Sequence, residues 1–528
     1  MSMTQLSSAA DAGPRCSAGF PACGFWQLSS RQFQNRTGLE SPVNSQAGKP
    51  ALHQLPTLSR RCARQAARAA FATLLLALNC FHASAQSPDQ IVAALRQKAL
   101  TNSDAMEIVT SLTTEIGQRL AGSDAEKRAA AWAKKKFETF GFDKVWIETF
   151  PLEHGWARGV ERAEIVGPSP QALAVTALGG SIATPPDGIE AEIAVFKTYD
   201  DLLALPTNSL NGKIAVVIQP MTRNRDGSGY GAINKIRNAG AAEAARRGAI
   251  AFLLRSLGTD HHRLPHTGAT HYEAGIPAIP AAALSVPDAE QLERLVEQGK
   301  TVRVRLLLTP RDLGPVASQN VIAEIKGREK PEQIVLLGAH LDSWDLGTGA
   351  LDDGAGVAIV MAAGKLIADL PLPPRRTIRI VLYGSEECGL IGGNAYAKEH
   401  KAELANYIVA TEPDFGQGPV YQFQTGVANP DEPTLDRIRA ALAPLEISAG
   451  DNQSKGSSDV EPLVEAGVPA ATLKLEGMDY FDIHHTADDT IDKINRERIS
   501  QSAAAHTVFA YLAAELDGDY RARPETTK

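Results

Sequence analysis

Residues 333–370, QIVLLGAHLDSWDLGTGALDDGAGVAIVMAAGKLIADL, decide how the chain is read. An apolar run, Ile334 to Ala339, ends at His340 and reads as a strand over 333–340. A Gly-rich turn carrying Asp352 and Asp353 follows, and the apolar pattern from Gly354 predicts a helix over 354–370. The same alternation continues outward. Strands are predicted over 320–325, 376–383 and 406–410, and helices over 390–400 and 434–442. Strands alternating with helices imply an α/β fold, a mixed, largely parallel sheet covered on both faces. In such sheets, functional residues gather in loops at the carboxyl ends of strands.

Upstream, residues 105–120 and 124–140 carry apolar residues at three-to-four spacing and predict amphipathic helices, the second closed by Gly141. Residues 144–152 alternate and predict a strand. From about Val160 to Thr309 the texture changes to short β-like runs (191–196, 213–219, 249–255) joined by Gly- and Pro-rich loops, with a helix over 232–247. This reads as an α+β module, 160–310, inserted between residues 86–159 and 311–528.

Residues 1–85 read as a leader. Arg60, Arg61, Arg64 and Arg68 precede an apolar run from Ala69 to Phe81 and then Ala83-Ser84-Ala85. Charge, short apolar core and small residues before a cut, over 60–85, are the order of a secretory signal peptide. The expectation is an exported protein, periplasmic or secreted. The apolar run is too short to span a bilayer of roughly 30 Å, and no later segment offers a span. Cys16, Cys23, Cys62 and Cys80 fall within the leader, which leaves Cys388 alone and excludes a disulfide scaffold. The 528 residues are 44% hydrophobic and 22% charged, an ordinary globular balance for two or three domains. A formal charge of −8 lacks the basic footprint of a nucleic-acid binder.

The chemistry lies in the loops after the strands. His340, Asp352, Glu387, Asp414 and His485 are separated by 12, 35, 27 and 71 residues, and each follows a predicted strand or opens a helix. All five can therefore converge on one rim of the sheet. Two imidazoles and three carboxylates suit two divalent ions, with zinc favoured over magnesium or calcium. Glu386 stands beside Glu387, so one carboxylate can bind metal while the other takes a proton from water. Asp342 is placed to orient His340 by a hydrogen bond. Taken singly, acid pairs such as Asp352–Asp353 need no more explanation than a helix dipole. Five donors in one strand–loop pattern favour metal.

Three motifs, GAHLDSWDLGTGALDDGAG (338–356), YGSEECGLIGG (383–393) and YFDIHHTADDT (480–490), together resemble the di-zinc peptidase family of bacterial aminopeptidases and glutamate carboxypeptidases. The likeness extends over 86–528, because the family also carries a protease-associated insert like 160–310. It implies a zinc exopeptidase fold with two zinc ions per chain and a short peptide or dipeptide as substrate. His340 and Asp414 would hold one zinc, Glu387 and His485 the other, and Asp352 would bridge them. Glu386 would serve as general base for a metal-bridged water. Asp414 is preferred to Glu412, two residues earlier, on the family's spacing. His484 stands where glutamate carboxypeptidases have a tyrosine that steadies the oxyanion; a role in loop packing is the alternative. Such enzymes are often homodimers.

The same donor set serves carboxypeptidases, dipeptidases and aminopeptidases. A single-zinc cyclase acting on N-terminal glutamine and a non-catalytic binding ectodomain are weaker readings. Around the site, His266 in HHRLPHTG, with Ser458 and Asp459, are candidate substrate contacts, although Ser458 and Asp459 also suit a helix cap. Cys388 reads as a small core residue. No G-x-S-x-G elbow, H-E-x-x-H helix or phosphate-binding loop occurs.

Overall fold

A computed structural model of the chain describes residues 87–167 and 169–521. The leader and its signal peptide lie outside the described residues. Two eight-stranded mixed sheets organise the rest. In the first, the strands run in the order Lys144–Ala157, Arg311–Ile325, Arg376–Tyr383, Lys330–His340, Tyr407–Thr411, Ala470–Leu475, Val420–Gly426 and Ser448–Ala449. The four strands from Arg376–Tyr383 to Ala470–Leu475 are mutually parallel, so their carboxyl ends share one edge. Flanking strands pair antiparallel with this centre, and Val420–Gly426 pairs antiparallel with Ala470–Leu475.

The second sheet is built entirely from residues between Glu161 and Leu308. Its centre, Ile189–Phe196, Ile214–Val217, Ala251–Arg255 and Ala281–Leu284, is also parallel. Alternate residues of these strands (Ile193, Val216, Leu253) close over a core of their own with Leu284 and Leu292.

Helix Ala355–Ala368 is apolar except for Lys365 and buried along most of its length, which fits its place between the first sheet and three other helices. One of these is Arg496–Glu515, unforeseen in the sequence because its run from Ser502 to Ala514 is buried on every side and shows no amphipathic period. The expected helix over 105–120 is shorter. Regular helix ends at Ser111, a single π turn covers Leu112–Ile116, and Gly117 at φ 77° turns the chain inward. The strand predicted to end at 152 continues to Ala157, paired with Arg311–Ile325 through irregular register at Gly155. Among the described residues no helix is long and apolar enough to cross a membrane.

His506 lies wholly buried in Arg496–Glu515, with Nδ1 2.8 Å from the Ser502 carbonyl and no partner for Nε2. Burial pushes its pKa down to about 4. Between that value and roughly 6.5, the unfolded chain binds a proton that the folded one refuses, so stability falls as pH falls through this window. The expected loss is about 3 kcal/mol between pH 7 and pH 4, from 1.36 kcal/mol per pKa unit. Urea unfolding of His506→Asn at both pH values should lack this increment; an equal acid loss in parent and variant would refute the assignment.

Candidate metal centre

Each parallel strand delivers one part of the site. His340 is the last residue of its strand and 1% exposed. Its Nε2 lies 3.2 Å from Asp352 Oδ1 and 3.6 Å from Asp414 Oδ1. The other oxygen of Asp352 lies 3.1 Å from His485 Nε2, and Glu387 Oε2 lies 3.0 Å from the same nitrogen. Asp352 thus faces one histidine with each oxygen. Three overlapping sets of donor atoms lie within 4.8 Å of one another: Asp352–His484–His485, His340–Asp352–Glu387 and His340–Asp353–Asp414. The structure therefore brings His340, Asp352, Glu387, Asp414 and His485 together.

His484 stacks on His485, ring centroids 3.5 Å apart, with Nε2 3.6 Å from Asp352 Oδ2. Burial and the neighbouring His485 push its pKa well down, which keeps it neutral. Burial raises the Asp352 carboxyl, but the facing His340 and His485 imidazoles outweigh it and hold the group well below the usual range. Glu386 is partly exposed beside the cluster, and burial with the nearby Asp414 and Glu387 carboxylates raises its pKa well above normal despite His340. His485 and Ser385 both adopt left-handed backbone, at φ 62° and 58°, an arrangement that tertiary contacts must enforce.

A layer of carboxylates behind the donors is consumed by backbone amides. Asp342 accepts the amide hydrogens of Glu386 (3.0 Å) and Glu387 (3.3 Å), fixing the turn that presents both glutamates. Its expected role toward His340 falls largely to its backbone: Nδ1 lies 3.1 Å from the Asp342 carbonyl and 3.6 Å from the carboxylate. Asp353 accepts from the His340 and Gly356 amides. Asp489 accepts from Ala350, Leu351 and Asp352 at 2.6–3.2 Å. Glu412 spends Oε2 on the Asp459 and Val460 amides, whereas Asp414 turns Oδ1 toward His340 and accepts the Ser458 hydroxyl on Oδ2.

Asp459 is fully buried and accepts the Gly393 amide. His266 is 2% exposed and pairs Nε2 with Asp260 at 2.9 Å rather than with a donor of the cluster. Sequence reading gave no role to Asp489 or Arg119. Asp489 lay within the 480–490 motif, but nothing near Arg119 marked it.

Arg119 is 0% exposed. Its guanidinium donates to the carbonyls of Gly117, Leu341, Thr348 and Gly349 at 2.6–2.9 Å, gathering both ends of the loop between His340 and Asp352.

A groove of ≈ 900 Å³ opens beside the donors between the Lys144–Ala157 strand and residues 179–183 and 270–272, lined by Trp156, Ile182, Tyr272, Trp344 and Cys388. Trp344 also walls the small recess holding Asp352, Glu387 and His485. At Gly179, an added Cβ would lie 1.9 Å from the Trp344 ring.

The donor chemistry fits a metal. Asp352 Oδ2 and Glu387 Oε1 are buried without a hydrogen-bond donor, and buried carboxylates of this kind need pairing or an ion. The mixed His/carboxylate set favours zinc-like ions. A donor set of this kind at the carboxyl edge of a mixed α/β sheet defines the class, a metallohydrolase. A family description, Peptidase family M28, matches residues 320–510. Carboxypeptidase Q of Bos taurus is 35% identical over 415 residues, 78% of this chain and 85% of that protein. The solved structure of a peptidase M28 precursor from Shewanella amazonensis SB2B is 48% identical, with a TM-score of 0.80 over 83% of this chain and 99% of that one. An aminopeptidase from Aneurinibacillus sp. strain AM-1 shares the fold at 22% identity and a TM-score of 0.57, over 81% of this chain and 98% of its own. The chain belongs to peptidase family M28.

Replacing Arg119 by Lys keeps the charge but cannot span four carbonyls with one ammonium. Each buried carbonyl left without a donor costs roughly 1–3 kcal/mol, so Arg119→Lys should lose about 2–4 kcal/mol of unfolding free energy in urea. A loss below about 0.5 kcal/mol, the level of an ordinary surface substitution, would show that the loop is held by other means.

Proposed function

We propose that the chain is a zinc-dependent exopeptidase acting on dipeptides or short peptides, carboxypeptidase Q-like, with an aminopeptidase of the same family as the alternative. The observation that carries this reading is Asp352 presenting one oxygen to His340 and the other, which has no hydrogen-bond donor, to His485, with Glu387 Oε1 likewise unpartnered. In this reading His340, Asp352, Glu387, Asp414 and His485 would hold two zinc ions. Bound there, zinc would supply Lewis acidity and lower the pKa of its water to about 7. Glu386, on a turn fixed by the hydrogen bond its backbone amide donates to Asp342, would accept the water proton and pass it to the leaving amine. His484, kept neutral, offers an imidazole to polarise the scissile carbonyl. Asp342 fixes the glutamate pair, and Ser458 fixes Asp414.

The groove beside Trp344 is at the upper end of the roughly 300–1,000 Å³ typical of small-molecule clefts and suits a peptide with an apolar side chain. The reading extends to export through the 1–85 leader, to residues 160–310 as a protease-associated-like insert between the two peptidase segments, and to a homodimer.

Purified 86–528 with zinc, given one dipeptide free, N-acetylated and C-amidated, separates the peptidase types by product mass. Hydrolysis surviving acetylation marks a carboxypeptidase, hydrolysis surviving amidation an aminopeptidase, and hydrolysis of the free form alone a dipeptidase. No hydrolysis of any form would sink the exopeptidase reading. Glu386→Gln should keep its zinc and lose turnover by roughly 10²–10⁴-fold, the usual weight of general-base catalysis; full turnover in that protein would remove Glu386 from the mechanism. Gly179→Val should displace the Trp344 ring and raise KM for peptides with bulky apolar side chains more than for glycyl peptides. An equal change for both would separate the groove from specificity.

A further inference from the structure

Residues between the two segments of the first sheet do more than border the site. Thr267, fully buried, donates its amide hydrogen to the His485 carbonyl at 3.0 Å. Its own carbonyl lies 3.1 Å from His485 Nδ1. One residue thus fixes both the left-handed backbone and the ring of His485. An imidazole whose Nδ1–H is committed to a carbonyl presents the Nε2 lone pair, and that nitrogen faces Asp352 and Glu387.

A rival partner is present. Arg237 Nη1 lies 3.1 Å from His485 Nδ1 and 3.4 Å from the Thr267 carbonyl. If the guanidinium donated to Nδ1, the ring proton would sit on Nε2 and close that nitrogen to metal. The Thr267 carbonyl, 3.1 Å from Nδ1 and 3.4 Å from Arg237 Nη1, is placed to accept from both and leave the ring proton on Nδ1. Gly268 keeps the approach open: at φ 135°, any Cβ there would fall 2.2 Å from Arg237 Nη1.

Thr267 is itself held in place. Its hydroxyl donates to the Ala177 carbonyl (2.9 Å) and accepts from Arg158 Nη2 (3.2 Å). Arg158 closes a two-pronged bond on Asp345, Nε and Nη2 to its carboxylate at 2.7–3.0 Å, and reaches Glu161 and the Ala177 carbonyl with Nη1 at 2.6 and 2.8 Å. Asp345 belongs to the loop between His340 and Asp352, so one guanidinium ties that loop to the residue orienting His485.

We propose that Arg158, Asp345 and Thr267 are positioning residues for the metal centre, holding His485 in the tautomer whose Nε2 can bind, so that residues 160–310 complete the centre and do not merely cover it. This rests on His485 being a zinc ligand, as read above. Planar two-pronged recognition of a carboxylate is not transferable to Lys, and loss of an outer hydrogen bond to a metal-bound histidine typically weakens metal 10–100-fold.

The test compares parent 86–528 with Arg158→Lys, Asp345→Asn, Thr267→Val and Thr267→Ser, reading zinc stoichiometry and affinity by competition with a chromogenic chelator, and melting of the metal-free proteins. Arg158→Lys, Asp345→Asn and Thr267→Val should each hold one of two zinc ions about 10–100-fold more weakly. Their kcat should fall at limiting zinc and recover in excess, with KM unchanged; the metal-free melts of Arg158→Lys and Asp345→Asn should fall below the parent because a buried two-pronged pair is broken, and that of Thr267→Val should fall least. Thr267→Ser, which keeps hydroxyl and carbonyl, should behave as the parent. If Arg158→Lys does not fold, the isosteric Asp345→Asn decides. Undiminished affinity for both ions in folded Asp345→Asn and Thr267→Val overturns the proposal while leaving the peptidase reading intact. A parent that binds no zinc overturns both.

Discussion

The disposal of buried negative charge is the constraint on which the structure turns. Asp342, Asp352, Asp353, Glu387, Glu412, Asp459 and Asp489 are all buried around the carboxyl edge of the first sheet. Carboxylates so removed from water are costly unless hydrogen-bonded or paired with a cation. The fold sorts them into two kinds. Asp342, Asp353, Asp489 and one oxygen each of Glu412 and Asp459 are satisfied by backbone amides, and in being satisfied they fix the turns on which the other groups stand. Asp352, Glu387 and Asp414 keep oxygens turned toward His340 and His485. The amide-bound carboxylates build the frame, and the remaining ones give it an appetite for cations.

Cationic side chains complete the frame from outside the donor motifs. Arg119 solvates four carbonyls of the donor loop and its approach, and Arg158 binds the same loop through Asp345. Both come from the chain before residue 160, far in sequence from the ligands. The N-terminal segment is therefore part of the site, although it supplies no donor to the cluster.

Much was legible before any coordinates. His340 closes an apolar strand and Asp352 lies in the turn before the next helix, so their convergence followed from the carboxyl-edge rule for parallel sheets. Glu386, Glu387 and Asp414 followed by the same logic, whereas His485 was legible only from the 480–490 motif. Less was legible where burial erases periodicity: the helix Arg496–Glu515 shows no polar face, and the strand Ala470–Leu475 is too short and alanine-rich to stand out. Asp342 shows the limit at the level of a single residue. Spacing placed it beside His340, but only the folded turn revealed its carboxylate spent on the Glu386 and Glu387 amides.

The sequence by itself determined the class of fold and marked the His and carboxylate residues that gather at one edge, because strand periodicity and residue chemistry are local properties. Tertiary structure alone decided which carboxylates stay free of backbone amides, and how Arg119, Arg158 and Thr267 hold the loops around the cluster. Those outcomes depend on backbone amides and carbonyls. Every residue carries them, so no residue type announces where they will converge until the chain has folded.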